Sequence, residues 1–184
     1  LRESGAKIVE VGSTNRTRIE DYRQAITLQT GALLKVHPSN FKMIGFTESP
    51  DLKDLVALGR ECELPVLVDL GSGCLIDTSQ YGLSQEPTPA DIIKAGADLV
   101  FFSGDKLLGG PQSGIVAGKN HYIEKLANHP LARALRIDKL SLAALEMTLL
   151  HYLHSEFASK IPIWRIISAS LEELSARADS YLTD

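Results

Sequence analysis

ADLVFFSGDKLLGGPQSGIVAG, residues 97–118, decides how this sequence reads. Leu99 to Ser103 is an apolar run of strand length, closed by a turn at Gly104 and Asp105. Lys106 follows, then Gly109 and Gly110 with Pro111, then a second strand at Ile115 to Ala117. Lys106 thus falls on a tight loop just past the carboxyl end of a strand, between glycines that let the backbone approach a ligand closely. An amine held near apolar walls has its charged form disfavoured, which makes Lys106 a candidate Schiff-base former. Spacing alone favours a plainer reading, a solvated lysine on a glycine-rich turn.

Similar apolar runs recur on either side: Lys7 to Val11, Ala32 to Val36, Met43 to Phe46 and Val66 to Leu70. Helical periodicity separates them at Ile19 to Thr27, Leu52 to Glu61, Pro89 to Ala95 and Tyr122 to Ala127. Strands alternating with helices predict an α/β fold on a mostly parallel sheet with flanking helices, whose strand carboxyl ends share one edge. Ligands of open α/β sheets bind at that edge. Beyond Pro130 the pattern turns helical. Asp138 is placed to cap a helix with an apolar stripe through Leu140, Ala144, Met147, Leu150 and Tyr152 or Leu153, and Ser170 with Glu173 forms a capping box for a helix facing inward through Leu171, Leu174 and Ala178. The break near Phe157 to Pro162 is the candidate boundary between a large domain, 1–157, and the start of a smaller one, 158–184.

The 184 residues are 44% hydrophobic and 23% charged, with 19 Lys and Arg against 23 Asp and Glu, a formal charge of −4. This is a globular composition, with no apolar run long enough to span a membrane. Cys62 and Cys74 form no CxxC pair and no signal peptide is visible, so a cytoplasmic setting is expected. The chain opens at Leu1 without Met and stops at Asp184 inside a helical pattern, so an internal fragment incomplete at both ends is expected.

The second chemical feature is PVLVDLGSG, residues 65–73. Asp69 ends an apolar strand, where a carboxylate is costly unless it has a cation or strong donors nearby. The amides of its own glycine turn are one alternative partner. Taken with Lys106, 37 residues on, it makes the pair a pyridoxal phosphate site needs: a lysine for the imine and an acid to keep the pyridine nitrogen protonated. Ser103 could offer its hydroxyl to the cofactor phosphate or merely cap the strand.

The runs EVGSTNRTRIEDY, LLKVHPSNFKMIGFTE, VLVDLGSG, FFSGDKLLGGPQSGI and ARALRIDKLSLAALE resemble the bacterial selenocysteine synthase family, L-seryl-tRNA(Sec) selenium transferase. The resemblance covers nearly the whole chain in order. It implies the fold type I architecture of the aspartate aminotransferase superfamily, pyridoxal 5'-phosphate as cofactor, Lys106 as the aldimine lysine and Asp69 as the partner of the pyridine nitrogen. Arg133 and Arg136, three apart and able to share one helical face, would hold the selenophosphate anion; without the resemblance they read as surface charges. Asn15 and Arg16 follow the first apolar run, where Arg16 would meet substrate unless the segment only caps the next helix. His37, Ser39 and Asn40 follow another strand, with Asn40 near the cofactor ring and His37 toward substrate. Gly110, with Gly109 and Gln112, would approach the phosphate of a neighbouring subunit.

The implied reaction exchanges the β-hydroxyl of seryl-tRNA(Sec) for selenium in a homo-oligomer, a decamer by resemblance. A charge of −4 is unusual for an RNA binder, and the resemblance assigns tRNA contact mainly to regions outside this chain. Two alternatives stay open: a lyase of small phosphorylated amino sugars or related amino compounds using the same residues, and an inactive fragment with an interaction role. His151 and His154, three apart, lack a carboxylate or cysteine to complete a metal set, so no metal site is expected.

Overall fold

The computed structural model describes residues 5–13 and 15–182. Thr14, within the segment that contains Asn15 and Arg16, lies outside the described residues, as do Leu1 and Asp184.

Strands β1 (Leu33–Val36), β2 (Val66–Gly71), β3 (Leu99–Ser103) and β4 (Gly114–Gly118) form one sheet in that order. The first three are parallel, joined through helices α2 (Leu52–Glu61) and α3 (Pro89–Lys94). β4 returns antiparallel to β3: Gly104 N–H donates to Ser113 O at one end, and Lys119 N–H donates to Asp98 O at the other, each at 2.9 Å. The sheet is therefore mixed, and the α/β expectation holds.

Two expected strands are not formed. Residues 7–11 and 43–46 are extended or bent without a ladder, and the pairing nearest to them is a single parallel bridge between Arg16 and Glu48. Apolar composition makes a segment suitable for a sheet, but a strand also needs a neighbour's backbone. Residues 41–49 are exposed.

The chain divides into two compact units. The first holds the residues up to Gly71 together with Pro89–Phe102 and Val116–His129. Its β2 alternates, with Val66, Val68 and Leu70 buried and Leu67, Asp69 and Gly71 half-buried. Val66 joins Leu33 and the buried face of α2, Leu55, Val56 and Leu58, in one cluster. Val68 and Leu70 join Val100, Ala97 and Ile92 of α3 in another. Asp98 links these layers. Its carboxylate accepts from Val66 N–H at 2.7 Å and meets Lys119 Nζ at 2.6 Å.

The second unit holds Ser72–Thr88, Ser103–Ile115 and the chain from Pro130 onward. Its core is aromatic: Cys74, Ile161 and Trp164 are buried, packed with Tyr81, Tyr152, Phe157 and Leu107. Helices α6 (Lys139–Leu153), α7 (Phe157–Lys160) and α8 (Pro162–Ile167) supply most of it. The caps form as expected. Asp138 accepts from Leu140 and Ser141 N–H, and the Ser170–Glu173 box opens α9 (Leu171–Leu182). The inward faces form only in part: Tyr152 at the end of the α6 stripe packs against the aromatic core, whereas Leu140 is 84% exposed and Leu171 81%. Periodicity marks a face that wants burial without supplying what buries it.

Candidate active site

In the first unit Asp69 sits near the carboxyl end of β2, level with Val36 on β1 and Phe101 on β3. A register shift between Asp69 and Gly71 bends the strand just beyond it. The alternation turns its side chain away from the Val66, Val68 and Leu70 face. Among the described residues its carboxylate has no cation or donor. His37 adjoins it through the backbone, His37 N–H donating to Asp69 O at 2.8 Å. Asn40 is exposed in the loop after β1.

Arg16 is engaged elsewhere: its Nε lies 3.7 Å from Glu48 Oε2, the oxygen that also takes a 2.9 Å bond from Arg18 Nε. Asn15 donates to Phe46 O at 3.1 Å. These contacts pin the segment to the loop before α2. Lys35, on β1, was not singled out by sequence. Burial lowers its pKa, but its ammonium is bound to Pro50 O and Ser49 Oγ, which makes it a tie between loop and strand.

In the second unit Lys106 follows β3, as expected. Its loop is fixed by backbone bonds: Leu107 N–H to Ser72 O at 2.9 Å, Gly109 N–H to Lys106 O at 2.9 Å and Gly110 N–H to Gly104 O at 2.8 Å. The Lys106 side chain is exposed, with no hydrogen-bond or ion-pair partner among the described residues. It borders an open cleft of about 420 Å³ shared with Asp105, Gly110, Pro162 and Ile163. Ser103 is half-buried at the end of β3. Its carbonyl lies where a Cβ on Gly73 would fall, and Gly73 has φ +68°, so only glycine suits that turn. Between Gly71 and Gly73, Ser72 carries a buried hydroxyl without a hydrogen-bond partner among the described residues.

Arg133 and Arg136 do not share a helix, contrary to the helical-turn expectation. α5 (Pro130–Ala134) ends before Arg136, because Asp138 must be extended, at ψ 164°, to cap α6. Both arginines are exposed. His151 Nδ1 pairs with Glu156 Oε2 at 3.1 Å, and no group of metal-ligating side chains occurs among the described residues.

Each unit by itself carries groups whose chemistry suits pyridoxal phosphate: in the second, the Lys106 amine and the Ser72 hydroxyl, neither with a side-chain partner among the described residues, and in the first, the Asp69 carboxylate at a strand's carboxyl end. Sequence reading missed Ser72, whose signal was only its place in a Gly-Ser-Gly turn. It placed Tyr152 only on the apolar stripe of its helix, missing its bonds to Leu107 O and Leu108 O, and it passed over Trp164, the one tryptophan of the chain.

Comparison with known proteins identifies the family. The family described as SelA, L-seryl-tRNA selenium transferase, matches residues 1–183. A curated L-seryl-tRNA(Sec) selenium transferase of Carboxydothermus hydrogenoformans is 54% identical over 97% of this chain and 38% of its own length. Its counterpart in Geobacter sulfurreducens is 52% identical over 99% of this chain and 40% of its own. The chain thus spans about two fifths of the curated relatives it matches. Among solved structures, a D-glucosaminate-6-phosphate ammonia-lyase aligns with TM-score 0.65 and 26% identity over 85% of this chain and 40% of its own. A cystathionine gamma-lyase from Lactobacillus plantarum, at TM-score 0.55 and 18% identity over 74% of this chain and 33% of its own, shares the fold. The fold type I α/β expectation is met, and the chain belongs to the L-seryl-tRNA selenium transferase family.

Proposed function

We propose that this chain is the catalytic middle of a pyridoxal phosphate enzyme that converts seryl-tRNA(Sec) to selenocysteyl-tRNA(Sec) with selenophosphate. The observation that carries the reading is Lys106, an amine without a partner among the described residues, on a backbone-fixed loop past a strand's carboxyl end, in a chain about half identical to enzymes of that name. When bound, the cofactor supplies an electron sink for a carbanion at the serine α-carbon. Lys106 would hold the cofactor and, once its amine is free, would take the α-proton at Nζ as general base. Asp69 keeps the pyridine nitrogen protonated. Arg133 and Arg136 hold the selenophosphate anion while selenium replaces the β-hydroxyl. Ser103, Asn40 and Gly110 are assigned to the cofactor, and Arg16 and His37 to substrate; for Arg16 this requires release of Glu48.

Residues 1–157 then belong to the large domain and 158–184 open the small one. The tRNA is gripped mainly outside this chain, in a homo-oligomer, a decamer by family resemblance, and in the cytoplasm where aminoacylated tRNA is found. Among the described residues no helix is long and apolar enough to cross a membrane. The similarity to the ammonia-lyase keeps a second reading in view, a lyase of small phosphorylated amino sugars. Twice the sequence identity favours the transferase.

The test is turnover by the full-length protein of seryl-tRNA with selenophosphate, against a panel of amino sugar phosphates. Turnover of the sugars alone overturns the transferase reading. Lys106→Ala is expected to lose the visible absorbance of the lysine-bound cofactor. Arg133→Ala with Arg136→Ala is expected to lose selenophosphate-dependent turnover while keeping that absorbance.

A further inference from the structure

The loop that carries Lys106 is gripped from two sides. On one, Ser72 O accepts from Leu107 N–H at 2.9 Å. On the other, the Tyr152 hydroxyl at the end of α6 lies 2.9 Å from Leu108 O and 3.2 Å from Leu107 O, sharing its one proton between them. Leu107, next to the lysine, is therefore held by its N–H and its C=O together.

The phenol is fixed in turn. Trp164 Nε1–H donates to its oxygen at 2.5 Å, and the Phe157 ring stacks on it with centroids 5.4 Å apart and planes 12° from parallel. Trp164 and Leu108 are fully buried. Burial pushes the Tyr152 phenol up to about 12, so its proton stays in place at neutral pH. Filling this core would take only a ring. The hydroxyl does something else: it spends its proton on the two carbonyls that follow Lys106 and accepts the one N–H the tryptophan offers.

We infer that Tyr152, held by Trp164, is a positioning residue that fixes the backbone pivot of Lys106, so that its amine meets an aldehyde cofactor in one orientation. The inference rests on Lys106 being the residue that bonds the cofactor. In that step Nζ attacks the aldehyde carbon, a C=N bond forms, and the carbonyl oxygen leaves as water with the two amine protons. Tyr152 touches neither cofactor nor substrate and acts through the main chain alone.

The experiment uses full-length protein carrying Tyr152→Phe, which keeps the stacked ring and removes the O–H. Two readings are taken: the rate at which pyridoxal phosphate becomes lysine-bound, by visible absorbance, and the affinity for pyridoxamine phosphate, which has the same ring and phosphate but no carbonyl for the lysine to attack. The rate is expected to fall about three- to tenfold, the effect of one lost neutral hydrogen bond, with pyridoxamine phosphate affinity unchanged. Trp164→Phe is expected to move the rate in the same direction by less. An equal loss for both cofactor forms, or no loss for either, overturns the positioning role. Lys106→Ala serves as control: if it still forms the C=N bond, the lysine assignment itself fails, and the inference with it.

Discussion

At the scale of single residues, the strongest constraints lie in and around the sheet and the loop after β3. Asp98 is buried and satisfies Val66 N–H and Lys119 together. Asp98→Ala leaves the Val66 amide without a partner, and a loss of about 2–3 kcal/mol is expected in chemical denaturation; an unchanged midpoint would show that water replaces the carboxylate. Gly73→Ala places a Cβ against the Ser103 carbonyl at positive φ and is expected to cost about 2 kcal/mol or more. Tyr152 sets an alkaline limit. Its pKa is raised from 10.0 to about 12 by burial, so the protonated phenol favours the fold. Its contribution is whole below pH 10.0 and gone once pH has risen through about 12, and Tyr152→Phe should remove that component from the alkaline unfolding curve. The places of Lys106 just past β3 and of Asp69 near the end of β2 were legible in sequence because glycine turns follow both strands. The roles of Ser72 and the Tyr152 hydroxyl were not: a hydroxyl without a partner among the described residues and a bond to a carbonyl 44 residues away have no local pattern.

At the scale of elements, sequence read what is local. β3 and α2 fall on the expected residues, and both helix caps form, because side chain and backbone amide lie within three positions of each other. The failures are of context. Among the described residues, 7–11 and 43–46 lack a pairing neighbour, α5 stops short of Arg136, and the stripe of α6 is exposed from Leu140 to Met147. Asp138 gives the sharpest test at this scale. Its bonds from Ser141 and Leu140 hold its carboxyl below the ordinary range, so the cap is present above the unfolded pKa and is lost as pH falls through the folded one. Asp138→Ala is expected to lower the thermal midpoint near neutral pH and to leave it unchanged in strong acid, as followed by circular dichroism.

At the scale of the whole molecule, exposed apolar side chains stand out: Ile44 and Phe46 at 89% each, and Leu153 at 78%. Monomers rarely leave such residues uncovered in groups. The 184-residue chain on its own is expected to self-associate with rising concentration and to bind an apolar dye, whereas a sharp monomer peak in light scattering would contradict this. The charge of −4 describes these residues alone, two fifths of a relative's length, so it does not decide whether a longer protein binds RNA. The two units also interleave along the chain, the second drawing on three separate segments. On the ribosome this fixes an order of events. Ser72 is already made when the lysine loop emerges, but Tyr152 follows Leu108 by 44 residues, roughly 2–9 s at ordinary synthesis rates. During that interval the newborn loop has one of its two grips, and Lys106 precedes the phenol that clamps its neighbours.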